Sequence, residues 1–196
     1  MKIVVAGISG NVGKSTLSAH MFVPRMKNAK LLIVESINQD TKDLVDTSEK
    51  IRGEDFKKIY MELVLNENIV VDVGASNAEA FFEGLSSFSQ GYDEVDLFVI
   101  PVVPGVKEQA ESVLTARMLA AMGVEKDKIR VVFNRVKRSV EDEFPELLNV
   151  ATELNCFIAN PMCMVFETDI YADLADLRLP LTEACEMAHS ELQRLK

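Results

Sequence analysis

Eight consecutive residues, Ser9-Gly10-Asn11-Val12-Gly13-Lys14-Ser15-Thr16, have the types and spacing to hold a nucleoside triphosphate. A triphosphate carries several negative charges on closely spaced oxygens. A glycine-containing turn points consecutive backbone N–H groups into one concavity, and a helix that follows adds the positive end of its dipole. Gly10, Asn11, Val12 and Gly13 form that turn, with the two glycines giving backbone freedom and close approach. Lys14 places an ammonium on the β and γ phosphates. The Ser15 hydroxyl is placed to ligate Mg²⁺, and Thr16 can donate to the α phosphate. The usual G-x-x-x-x-G-K-S/T spacing requires glycine at position 8. This chain has Ile8 there, with Gly7 one place early.

Phosphoryl chemistry with magnesium also needs a carboxylate at a strand end. Ile69-Val70-Val71-Asp72 is a buried-strand sequence delivering one aspartate, so Ser15 and Asp72 are the candidate metal ligands. Gly74 follows and can offer a backbone N–H to the γ phosphate. Glu35 ends a second apolar run, Leu32-Ile33-Val34-Glu35, and Asp40 lies in the polar stretch after it. Each is an acidic group near the loop, or a loop carboxylate that only caps a helix or faces water.

The elements that must position these groups are legible as alternating patterns. Apolar, β-branched runs at Lys2–Gly7, Leu31–Glu35, Ile69–Val73, Leu97–Val103, Ile129–Phe133 and Cys156–Ala159 read as six buried strands. Helices are expected from about Gly13 to Phe22, over Thr41–Glu67 with a break at Gly53, after a Ser76/Glu79 capping box, on a face marked by Ala110, Val113, Leu114, Met118 and Ala121, over Val140–Leu154, and twice after it about Pro180. Strands alternating with amphipathic helices predict an α/β chain of the P-loop NTPase type. Its central sheet should be mostly parallel and flanked by helices on both faces, within one domain spanning 1–196. Ligands in such sheets lie at the carboxyl ends of the strands, where every motif named above falls.

Composition narrows the partners. A net charge of −10 disfavours strong intrinsic binding to nucleic acid, so any action on DNA is expected through a partner. Cys156, Cys163 and Cys185 fit no zinc spacing and read as buried reduced thiols of a cytoplasmic protein. The nine methionines read as core filler, and His20 and His189 as packing residues. Lys126, Lys128, Arg130, Arg135, Lys137 and Arg138 form a basic cluster in sequence, best read as the polar rim of a strand.

The opening V-A-G-I-S-G-N-V-G-K-S-T resembles the deviant Walker A loop of ParA/MinD-family ATPases, and within them the StbB-type plasmid stability proteins. It departs from K-G-G-x-G-K-S/T at Ser9, where the family has its signature lysine, and at Asn11, which replaces the second glycine. The resemblance implies that Glu35, with Asp40 as second candidate, orients the attacking water. It also implies that Asn134, at the end of Val131-Val132-Phe133-Asn134, reads adenine, with Arg135 stacking on the base and Pro161 near it. No aspartate follows Asn134 in an N-K-x-D pattern, which favours ATP over GTP.

The catalytic set is thus expected to be Lys14, Glu35 and Asp72, acting on ATP with Mg²⁺. The resemblance implies a slowly hydrolysing switch in plasmid stability, segregation or conjugative transfer, working through a DNA-bound or protein partner. A homodimer is left open, because Ser9 cannot reach a partner's phosphates as lysine does. The last helix, with Leu181, Ala184, Cys185, Ala188, Leu192 and Leu195 on one stripe, carries three glutamates and no aromatics. It is expected to pack on the sheet rather than on a membrane. The alternative from another class is a small metabolic ligase or kinase of the dethiobiotin-synthetase type.

Overall fold

The computed structural model describes residues 1–35, 48–88, 91–177 and 179–194. Among the described residues seven strands form one sheet: β1 (Lys2–Val5), β2 (Lys30–Val34), β3 (Ser48–Ile51), β4 (Ile69–Val73), β5 (Leu97–Val102), β6 (Ile129–Val136) and β7 (Ile158–Phe166). Their order is β3-β2-β4-β1-β5-β6-β7, and every neighbouring pair runs parallel. The chain first steps outward from β1 to β2 and β3, returns to β4 beside β1, then crosses to β5, β6 and β7. The direction of winding reverses at β1, the place where α/β sheets open a ligand crevice.

The helices are α1 (Lys14–Leu17), α2 (Phe56–Leu65), α3 (Ala78–Ser87), α4 (Val106–Ala121), α5 (Val140–Glu143), α6 (Pro145–Leu154), α7 (Ile170–Leu177) and α8 (Leu181–Arg194). β1 shows how the sequence covers both faces. Val4 and Ala6 enter the larger core with Phe81, Phe98 and Phe133, whereas Ile3 and Val5 enter a smaller one with Leu17, Leu31 and Val70. Successive strand side chains point to opposite faces, so a strand buried on both sides must be apolar throughout.

Several local expectations are corrected. Of the helix expected over Thr41–Glu67, residues 41–47 lie outside the described residues, Ser48–Ile51 is instead the edge strand β3, paired with β2, and the helix α2 runs from Phe56. An edge strand needs little apolar sequence, so Ser-Glu-Lys-Ile gives no strand signal. The first helix widens into π-helical turns at Ser18–Phe22 and tightens at Val23–Arg25. α3 starts without the Ser76/Glu79 box: Ser76 lies in the tight turn Ala75–Asn77, and Asn77 takes the N-cap position while its Oδ1 accepts from the Gly53 N–H at 3.0 Å. β7 runs on to Phe166, well past Ala159.

Residues expected inside also lie elsewhere. Cys163 and Cys185 are exposed and Cys156 is half-buried, all three as free thiols. Met21, Met26, Met118, Met122 and Met164 flank the core while Met1, Met61, Met162 and Met187 are exposed, since β-branched residues and phenylalanines already fill the centre. α8 is mostly exposed, including Cys185 and Ala188, and only Leu181 and Ala184 of its described stripe are partly covered. The basic cluster is divided by the strand that carries it: Lys126, Lys128 and Arg130 lie at the start of β6, and Arg135, Lys137 and Arg138 at its far end. Among the described residues no helix is long and apolar enough to cross a membrane.

Candidate nucleotide site

The loop after β1 is shaped by two left-handed residues, Asn11 with φ 56° and Gly13 with φ 90°. Asparagine is among the few side-chain-bearing residues that adopt this region readily, which accounts for Asn11 where glycine is usual. Gly13 has a second constraint: a Cβ there would collide with the Asn134 side-chain nitrogen. Gly10, in contrast, faces open space. Its want of a side chain serves access to the loop rather than the turn itself.

Lys14 is buried, and its ammonium donates to the Ser9 carbonyl at 2.6 Å. Burial lowers its pKa from the ordinary lysine value, opposed by the charges of Asp72 and of Glu111 on α4. Asp72, from β4 beside β1, is 3% exposed. Its pKa is pushed up to about 6 by burial, against a hydrogen bond from Ser15 and the charge of Lys14, with Glu35 adding to the rise. Its Oδ1 is buried without a hydrogen-bond partner. An orphaned carboxylate oxygen next to an exposed serine hydroxyl fits a divalent cation completed by phosphate oxygens and water, which is how Mg²⁺ is usually held.

Glu35 follows β2, held by its N–H to Ile51 O at 3.0 Å. It shares with Gly10–Thr16, Gly74, Ala75 and Arg135 a cavity of about 250 Å³. Gly74 donates to Val34 O at 2.9 Å, and a Cβ on it would press on the Glu35 side chain. Asp40 lies outside the described residues.

A second cavity, of about 380 Å³, adjoins the first through Gly13, Thr16 and Arg135. Asn134 lines it and is itself buried, donating Nδ2–H to Val12 O at 2.9 Å. The amide therefore braces the loop from β6 while leaving Oδ1 and one N–H for a base. Pro161 lines neither cavity; it sits within β7, where the β6–β7 register shifts between Val131/Ala159 and Phe133/Met164. The outer wall comes instead from Phe166–Asp169, Tyr171 and Ala172. Replacing Asn134 by alanine strands the Val12 carbonyl. It is expected to lower stability by roughly 1–3 kcal/mol in urea unfolding. A loss under about 0.5 kcal/mol would remove the brace from the account.

Residues outside the motifs support the loop. The buried Thr115 on α4 donates to Glu111 O at 2.9 Å and accepts from the Ile8 N–H at 3.4 Å. The buried face of α4 is Ser112, Thr115, Ala116 and Leu119, whereas Leu114, on the apolar face expected from sequence, is 47% exposed. A roomier groove of about 520 Å³ between α4 and α5–α6 is lined by Asp142, Glu143 and Glu146 and by no lysine or arginine, so it suits no phosphate.

A β-strand, a glycine-containing loop and a helix, set at the winding reversal of a parallel sheet beside a strand-end aspartate, define a P-loop NTPase fold. No protein-family model matches the chain, and no curated protein does. Solved structures do. McdA from Cyanothece superposes with a TM-score of 0.62 at 14% identity, over 94% of this chain and 92% of that one. MinD in a MinC:MinD complex from Aquifex aeolicus gives 0.62 at 19%, over 91% and 86%. A protein described as a plasmid partition protein from Borrelia burgdorferi, bound to AMPPNP, gives 0.58 at 14%, over 89% and 88%. The chain has the fold shared by these ParA/MinD/McdA-type ATPases.

Proposed function

We propose that this chain is a single-domain, cytoplasmic, ParA/MinD-type switch that binds Mg-ATP and hydrolyses it slowly. We place it in plasmid stability, segregation or conjugative transfer, acting through a DNA-bound or protein partner. The observation that carries the reading is the trio at the loop: the buried Lys14 ammonium, the exposed Ser15 hydroxyl and the buried Asp72 carboxylate with its unpartnered oxygen. The AMPPNP complex of one structural neighbour and the MinC:MinD complex of another support nucleotide and protein partners.

In this reading Lys14 neutralises charge on the β and γ phosphates, and Thr16 donates to the α phosphate. Ser15 and Asp72 hold Mg²⁺, which supplies charge neutralisation across the phosphates. Glu35 orients the attacking water and accepts its proton. Asn134 presents Oδ1 to the exocyclic amine of adenine, while its bonded N–H keeps the loop in place. Ser9 provides no cation for a second copy, so any dimer must form without that lysine.

Calorimetric titration with ATP, GTP and CTP, with and without Mg²⁺, tests the reading. ATP is expected to bind tightest, and only weakly when magnesium is withheld. A chain that binds none of the three is no nucleotide switch. Sizing with a non-hydrolysable ATP analogue then tests assembly: a shift to a dimer is expected of a switch, and an unchanged monomer would count against nucleotide-driven dimerisation.

A further inference from the structure

Arg135 stands where the two cavities meet and lines both. Its guanidinium donates from Nη2 to Asn11 Oδ1 at 3.3 Å. Its backbone is left-handed, with φ 56°, at the end of an otherwise extended strand. Successive side chains of a strand point to opposite faces. Here Asn134 reaches Val12 and Arg135 reaches Asn11, neighbouring residues of one loop. The left-handed turn makes both converge, and the β6–β7 register breaks over the same stretch, between Phe133 and Val136. Backbone strain at a non-glycine residue persists where the surroundings hold it, and it clusters at ligand sites.

Charge gives this convergence a purpose. The charged side chains lining the loop cavity are Lys14, Glu35 and Arg135, and Asp72 lies beneath. The charges of Asp72 and of Glu111 both fall on Lys14 before any phosphate arrives. Lys137, the first cation after β6, is tied to Glu167 at 3.0 Å.

Resting on the nucleotide-binding reading, we propose that Arg135 is a second phosphate-binding cation supplied by the same chain. Asn11 holds it over the loop, and its remaining N–H groups donate to phosphate oxygens at the junction of the two cavities. A guanidinium has five N–H donors, so the bond to Asn11 leaves enough for a forked contact.

The test separates phosphate from base. Mg-ATP and magnesium tripolyphosphate, which has no base, are titrated into the parent chain and into Arg135→Gln, Arg135→Gly and Arg135→Lys. The glycine variant relieves the left-handed backbone, so it guards against a glutamine variant that misfolds. Losing one charge-assisted contact is expected to weaken both ligands by a similar factor of roughly 10 to 100 in the glutamine and glycine variants. Lysine is expected to restore most of the loss. Weakened ATP binding with tripolyphosphate unaffected would make Arg135 a base contact and overturn the proposal, as would no loss for either ligand. A parent chain that binds neither ligand overturns the nucleotide reading itself, and this proposal with it.

Discussion

Lys14→Ala is expected to weaken ATP binding by roughly 100- to 1000-fold while leaving the unliganded fold nearly as stable as before. The two halves of that expectation have one cause. Lys14 is 7% exposed, and its ammonium donates to one carbonyl, Ser9 O. Burial works against its charge, and Asp72 and Glu111 only partly compensate. Removing the side chain takes away a disfavoured buried charge but leaves the Ser9 carbonyl without its donor and Asp72 without the charge that opposes its burial. These effects oppose each other, so the net change in unfolding free energy should stay within about 2 kcal/mol. Nothing compensates in the complex: the β and γ phosphates lose the cation set deepest in the loop. Calorimetric titration and urea unfolding of the same variant read the two quantities. ATP affinity within about fivefold of the parent would show that Lys14 is not aimed at phosphate.

The sequence revealed the groups with chemistry more readily than the packing that holds them. The Ser9–Thr16 loop, Asp72, Glu35 and Asn134 announce themselves because strand ends deliver them; the structure gathers Gly10–Thr16, Glu35 and Asn134 around adjoining cavities, with Asp72 bonded to Ser15 beneath. Six strands were legible because burial on both faces demands unbroken apolar runs. β3 was not, because an edge strand carries no such demand and Ser-Glu-Lys-Ile pairs with β2 through its backbone. α4 misled for the opposite reason. Its apolar periodicity marks a face that includes the half-exposed Leu114, whereas its buried face is small and partly polar, so that Thr115 can approach the loop and hydrogen-bond Ile8. Hydrophobic patterning reports area removed from water and is blind to a helix held close by hydroxyl bonds. The wall formed by Phe166–Asp169, Tyr171 and Ala172 was misplaced toward Pro161, because the register shifts in β7 carry the strand several residues further than its apolar start suggests.

Asp72→Asn is expected to stabilise the unliganded chain at neutral pH and to abolish magnesium-dependent hydrolysis. Asp72 is 3% exposed, one of its oxygens has no partner, and burial raises its pKa from 3.8 to about 6. The folded chain therefore holds this proton more tightly than the unfolded chain. Between about pH 4 and pH 6 the folded state binds more protons, so this group's contribution to stability falls as pH rises through that window. Below the window the carboxyl is neutral in both states and there is no penalty. Above it the full penalty applies, roughly 3 kcal/mol for a shift of about two units at a buried site. Asparagine does not titrate. The gain of the variant over the parent should therefore grow by about that amount between pH 4 and pH 7.5, or roughly 5–10 °C in melting temperature for a chain of this size. Other carboxylates titrate in the same range, but they are common to both proteins and cancel in the difference. A difference that stays flat with pH would show that Asp72 carries no burial penalty. A variant that retained magnesium-dependent turnover would remove Asp72 from the metal site. If both expectations hold, the same buried carboxylate weakens the empty fold and serves the liganded one. Mg²⁺ then adds, beside the Ser15 hydroxyl already bonded to it, the partner for its charge that the surrounding apolar strands β1 and β2 cannot give.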